Sequence, residues 1–245
     1  MPIGLFIFLL DVVLIVHTAK TGRFWPWAYV IFFLPGIGSV AYILAELAPE
    51  WLNSYRGRRA RERVAAAINP TGRYRQLRDE LDVVDTIANR SALAQECLAL
   101  GKYDEALAHY EKILIYPLGA EPVFMLGKAR AEFGLERPDA TIATLEELKT
   151  RWPEYQSADG HLLYARALES AGRDEDALTH YADVGRYFPG AEPRVRQAQL
   201  LGRLGRGEEA RALAEDVVKT LNRAPRHVRS NQREWLTIAQ RLARP

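Results

Sequence analysis

Three stretches decide the fold: GKYDEALAHY at residues 101–110, GRDEDALTHY at 172–181 and GRGEEARALA at 205–214. Each sets a glycine before an acidic turn and starts a helix whose first small residue is Ala106, Ala177 or Ala210. Four residues on come Tyr110, Tyr181 and Ala214, and three further Ile113, Val184 and Val217. Residues spaced by three and four share one helix face, so these positions form a packing stripe on the second helix of a helix–turn–helix unit. The unit returns about every 33–36 residues, a period typical of stacked helical hairpins. The alanine is small because the two helices of a unit cross closely there. Gly101, Gly134, Gly172 and Gly205 are expected to end the first helices, and Pro117, Pro153 and Pro189 to close the second ones.

On these residues the chain resembles the tetratricopeptide repeat (TPR) family. The first unit carries Leu93, Ala94, Gly101, Tyr103, Ala106, Tyr110 and Pro117 at family positions, and the third Tyr164, Ala165, Gly172, Ala177, Tyr181, Val184 and Pro189. The second starts with Leu126, Gly127 and Gly134, then reads as holding about two extra residues before Thr141, Leu145, Leu148 and Pro153 resume the register. The fourth has Ala198, Leu201, Gly205, Ala210, Ala214 and Val217 without a closing proline. The reading is all-α: about four TPR-like repeats over 85–222, forming an α-solenoid, then a capping helix within 223–245, from Val228 to Leu242. Trp235, Ile238, Ala239 and Leu242 on that helix would cover the last repeat. Ahead of the array, 51–84 reads as a basic segment, a short helix in RERVAAAINP, and an N-terminal capping helix with Leu77, Leu81, Val84 and Ile87 on one face.

The first fifty residues are of another kind. Phe24 to Leu47 is almost wholly apolar until Glu46, long enough to cross a bilayer core as one helix of about 20 residues. Trp25, Trp27 and Tyr29 crowd one end and Trp51 lies beyond the other, where interfacial aromatics belong. Ile3 to Val16 is a shorter apolar run holding Asp11. Two membrane-embedded helices joined by HTAKTGR are expected; one span with an interfacial first helix, or a cleaved secretory signal, are the alternatives. WAYVIFFLPGIGSVAYIL, through Pro35, Gly38 and Tyr42, resembles the N-terminal membrane hairpin of bacterial cardiolipin synthases. The synthases' His-x-Lys motif occurs at none of His17, His109, His161, His180 or His227, so the resemblance implies a shared anchor and not lipid synthesis.

Arg56, Arg58, Arg59, Arg61 and Arg63 follow the second segment, against Lys20 and Arg23 in the intervening loop. Basic flanks stay inside, which places the repeats on the cytoplasmic side of a bacterial inner membrane and, with two spans, the N-terminus as well. The same arginines could instead hold anionic lipid headgroups. Asp11, inside an apolar run, either serves a function or reaches the interface.

The net charge of +2 marks no nucleic-acid binder, and the single Cys97 allows neither an intramolecular disulfide nor a cysteine metal cluster. No catalytic triad, metal-spaced His/Cys set or phosphate-binding glycine loop occurs. The acidic pairs Asp104/Glu105, Asp174/Glu175 and Glu208/Glu209 sit at second-helix starts, where they complement the helix dipole. Neither enzyme, cofactor nor metal is expected. The TPR resemblance implies that first helices line a groove, with ligand-facing residues just after the small packing position: Gln95, Lys128, Arg166 and Gln199, joined by Phe124 and Leu162. Such a groove suits a protein or peptide carrying acidic groups or a free C-terminal carboxylate. A membrane-anchored scaffold or adaptor is the leading expectation. The alternative is an accessory subunit of a membrane enzyme in lipid or envelope metabolism, working through Asp11, Pro35, Gly38 and Tyr42.

Overall fold

The computed structural model describes residues 2–21, 24–47, 69 and 71–244. Every regular element among them is helical, and the chain divides into two compact units, Met1–Gly72 and Arg73–Pro245. The arginine run and RERVAAAINP lie outside the described residues, apart from Asn69.

In the first unit, α1 (Pro2–Lys20) packs on α2 (Phe24–Phe33) and α3 (Ile37–Tyr42), with one π turn at Ile43–Leu47. The expected single helix from Phe24 to Leu47 is not formed. Pro35 cannot donate to the helix ladder and Gly36 takes φ +78°, so the chain reverses between α2 and α3. Gly38 then lies against the backbone of Val30 and Ile31; a β-carbon there would sit 2.7 Å from Ile31 Cα. The two ends of the segment meet again, since the Trp27 indole donates to Glu46 at 3.1 Å. Among the described residues no helix is long and apolar enough to cross a membrane.

The second unit stacks four helical hairpins: α5 (Ile87–Ala99) with α6 (Tyr103–Ile115), α7 (Pro122–Gly134) with α8 (Pro138–Arg151), α9 (Ala158–Ser170) with α10 (Asp174–Val184), and α11 (Glu192–Arg203) with α12 (Gly207–Arg223). Each second helix but the last packs between the first helix of its own repeat and that of the next. That is why it carries the small and aromatic stripe: Ala106, Ala177 and Ala210 are buried at the crossing, and Tyr110 and Tyr181 fill the space toward the following repeat. The Tyr181 hydroxyl is not left bare, because it donates to Glu169. Before the repeats, α4 (Gly72–Val83) inserts Leu77 into the first repeat's core, and Tyr74 donates to Glu105 at 2.6 Å.

The four hairpin turns are alike. Lys102, Arg137, Arg173 and Arg206 each donate their N–H to the fifth residue back, and the residue before each has positive φ. Those residues are Gly101, Gly172, Gly205 and, in the second repeat, Glu136 at φ +56°. This corrects the reading of the second repeat. The turn falls at Glu136 and not at Gly134, the small packing residue is Ala129 and not Gly127, and no residues are inserted. Gly127 and Gly134 serve a different purpose. Each faces a tyrosine of the preceding second helix, Tyr110 and Tyr103, where a β-carbon would overlap the ring.

The capping segment is also not one helix. It breaks into α13 (Arg226–Asn231) and α14 (Arg233–Leu242) at Gln232, whose side-chain oxygen accepts the Ala191 N–H at 3.0 Å. Ala239 is buried with Val217 and Leu221, and the ring of half-buried Trp235 lies under the Arg196 guanidinium at 5.3 Å.

Candidate functional site

With the register corrected, the residues following the small packing positions Ala94, Ala129, Ala165 and Ala198 are Gln95, Arg130, Arg166 and Gln199. Gln95, Arg166 and Gln199 keep their place in the register, and of the three only Arg166 lines the cleft described below. Lys128 does not keep its place. It pairs at 3.6 Å with buried Glu132, one turn along α7. Phe124 packs into the first repeat's core rather than into a groove.

The groove face of α9 opens into a cleft of about 960 Å³. Arg130, Phe133 and Gly134 of α7 form one wall, Leu162 and Arg166 of α9 the floor, and Phe188 with Glu192 the other wall. Arg130 missed detection in the sequence because Gly127 drew the register two residues early. The signal that could have found it is the match of Thr141 to Ala106 and Ala177, which counts back to Ala129 without any insertion.

Most charges in this cleft already have partners. Arg130 lies 3.5 Å from Asp159, and Arg196 lies 2.7 Å from Glu192. Glu169, the carboxylate nearest Arg166 along α9, accepts from Tyr181 and pairs with Arg203. Arg166 therefore has no carboxylate partner among the described residues; its guanidinium stacks on the Phe133 ring at 4.7 Å. Burial first, then the nearby charge of Arg196, lowers its pKa from the usual guanidinium value. A desolvated guanidinium with unused donors on an aromatic face is a receptor for a planar anion such as a carboxylate.

The hairpin candidates are brought together in the first unit, but toward one another. Asp11 is buried and accepts from the Ser39 hydroxyl and from the Gly36 N–H, the latter at 3.3 Å. Tyr42 is fully buried, with its hydroxyl 2.9 Å from His17 Nδ1 and its ring edge-on to Trp27 at 5.3 Å. Pro35 and Gly38 make the reversal. These residues hold the α2–α3 turn against α1. Among the described residues no group of three or more His, Cys, Asp or Glu is placed to hold a metal ion.

No protein-family model matches the chain, and no curated protein does. The expected resemblance to the cardiolipin synthase hairpin therefore finds no support in these comparisons. Among solved structures the chain is similar to a thermophilic TPR protein of Thermus thermophilus. The match has a TM-score of 0.51 at 19% identity and covers 71% of this chain and 96% of the other. The fold of the repeat unit is accordingly TPR-like.

Proposed function

We propose that this chain is a non-catalytic, membrane-anchored adaptor whose repeats bind a protein segment bearing a carboxylate. The observation that carries the reading is Arg166: half-buried, without a carboxylate partner among the described residues, stacked on Phe133 and open to a peptide-sized cleft. A ligand carboxylate would supply the charge-assisted hydrogen bonds that the fold withholds, while Leu162, Phe133 and Phe188 contact apolar neighbours. The test is an array of peptides synthesised with free and with amidated C-termini, overlaid with the full-length protein in nanodiscs. Carboxylate-dependent binding should vanish in Arg166→Gln and persist in Lys128→Gln. Binding indifferent to Arg166 would refute the reading.

Anchoring rests on the first unit being apolar outside, with polar groups buried beside Leu14, Ile31 and Tyr42. Asp11, Thr18 and Ser39 are buried, whereas Phe8, Val13, Phe32, Phe33, Ile37 and Leu44 are each at least 62% exposed. That arrangement suits hydrocarbon surroundings, since polar groups in lipid must be satisfied internally. Embedding rests on this surface and not on a crossing helix, since the 19 residues of α1 extend about 28 Å at 1.5 Å per residue, short of the roughly 30 Å of a bilayer core. The α2–α3 segment enters and leaves on one side, so α1 and this re-entrant hairpin embed as a unit. Lys20, Arg23 and the arginine run then share the cytoplasmic side with the repeats, where the run can also meet anionic headgroups. Cysteines at Thr21 and Ser54 should both react with a membrane-impermeant maleimide from the cytoplasmic face only; labelling from opposite faces would restore two spans.

A further inference from the structure

The other face of α9 holds a second cleft, of about 850 Å³, between α8, the Pro153–Ser157 connection and α10. His161 and Tyr164 line it, on the opposite side of α9 from Leu162 and Arg166 at helical spacing. Its floor is apolar, made by Leu145, Leu148 and Val184, and Tyr155, Tyr164 and Tyr187 rim it. The volume is that of a small-molecule site.

Its polar groups divide by sign. The two carboxylates are already used: Glu146 accepts from the Tyr164 hydroxyl at 2.8 Å, and Asp183 lies 3.5 Å from Arg186. The cationic and imidazole groups are not. Lys149 has no carboxylate partner among the described residues, and His180 makes an edge contact with Tyr164 at 4.9 Å without a hydrogen bond. His161 uses one ring nitrogen on the Tyr187 hydroxyl and keeps the other free. One ammonium and two imidazoles with spare hydrogen-bonding capacity thus stand around a floor of leucine, valine and tyrosine.

We propose that this cleft binds a small aromatic or aliphatic carboxylic acid, its apolar body on Leu145, Leu148 and Val184 and its carboxylate between Lys149 and the two histidines. The site is separate from the Arg166 cleft and does not depend on the adaptor reading. Charge decides the ligand class: an anion complements the unused donors, while a cation would compete with Tyr164 and Arg186 for carboxylates already engaged.

Fluorine NMR of 4-fluorophenylacetate with the full-length protein in nanodiscs tests it, with empty nanodiscs as blank and 4-fluorophenylacetamide as the neutral isostere. The acid should bind about tenfold more tightly than the amide, as expected for one charge-assisted hydrogen bond near the surface. Lys149→Gln and His180→Gln, one exposed and one at the rim, are each added to Arg166→Gln so that the first cleft takes no share of the acid; each should reduce the acid toward the amide's affinity, while Glu147→Gln in the same background leaves it unchanged. Equal binding of acid and amide, no binding of the acid, loss of binding only in Arg166→Gln, or capture of a capped Phe-Asp peptide in preference to the acid would each overturn the proposal.

Discussion

Replacing Glu136 by glycine should stabilise the repeat unit, an outcome that follows only from the corrected second repeat. Glu136 sits at φ +56° where the other three repeats have glycine. A β-carbon in that conformation costs about 1–2 kcal/mol. Glycine removes this strain but has a more flexible unfolded chain, which offsets about 0.4–1 kcal/mol of the gain. The exposed carboxylate makes no ion pair or side-chain hydrogen bond among the described residues, so little else is lost. Glu136→Gly should therefore gain about 0.5–1 kcal/mol, seen as a higher urea midpoint by circular dichroism with unchanged slope. Glu136→Ala, which keeps the β-carbon, should be nearly neutral and serves as the control for side-chain loss. Had the turn been at Gly134, Glu136 would be an ordinary residue and glycine there would cost stability. A fall in the midpoint of Glu136→Gly would refute the register on which Arg130 and the cleft depend.

Cys97 is buried, and burial followed by the charge of Glu105 pushes its thiol up to about 11. In the folded protein at pH 8 it should react with iodoacetamide at least about a hundredfold more slowly than after denaturation, because only the thiolate attacks; comparable rates would contradict its placement. Glu132 has its pKa raised, chiefly by burial, with Thr144 and Lys128 opposing. Its native form holds its proton above the pH at which the unfolded form releases it, so this group's contribution to stability declines as pH rises from about 4.5 through the raised value. Glu132→Gln should then be more favourable relative to wild type at pH 7 than at pH 4, and a pH-independent difference in melting temperature would count against the buried placement. In the first unit, Asp11→Asn can still accept from Gly36 and Ser39, whereas Asp11→Leu leaves both donors bare at a cost of about 1–3 kcal/mol. Thermal aggregation in detergent should separate the two variants, and indistinguishable curves would deny Asp11 its role at the turn.

The repeats were legible because their determinants are local. A glycine at positive φ, an acidic turn, an alanine crossing and an aromatic four residues on all fall within ten residues, and the first and third repeats keep them all. The second repeat misled for a physical reason. Gly127 and Gly134 stand seven apart, as do Ala94 and Gly101, so they imitate the packing and turn positions while serving to admit the rings of Tyr110 and Tyr103. Glu136 gives no warning, since a charged residue at positive φ carries no signature. Hydropathy showed that the first fifty residues are apolar, but it does not report which way a Pro-Gly break sends the chain. The contacts that define the reversal join residues 19–28 apart, Trp27 with Glu46 and Asp11 with Ser39, and such pairings are invisible to a periodicity argument. Arg166 could be named from the sequence; its lack of a partner could not, because that depends on Arg203 and Tyr181 having taken Glu169.

The central claim is that the Arg166 cleft is the face through which this chain meets another protein. Photo-crosslinking in native membranes tests it most directly, with the photoreactive residue at Ser170 on the cleft wall and, as controls, at Lys128 and Glu147. The account predicts a discrete protein adduct from Ser170 that disappears when Arg166→Gln is added, and none from either control. The same adduct with Arg166 replaced, or adducts from the controls alone, would contradict it.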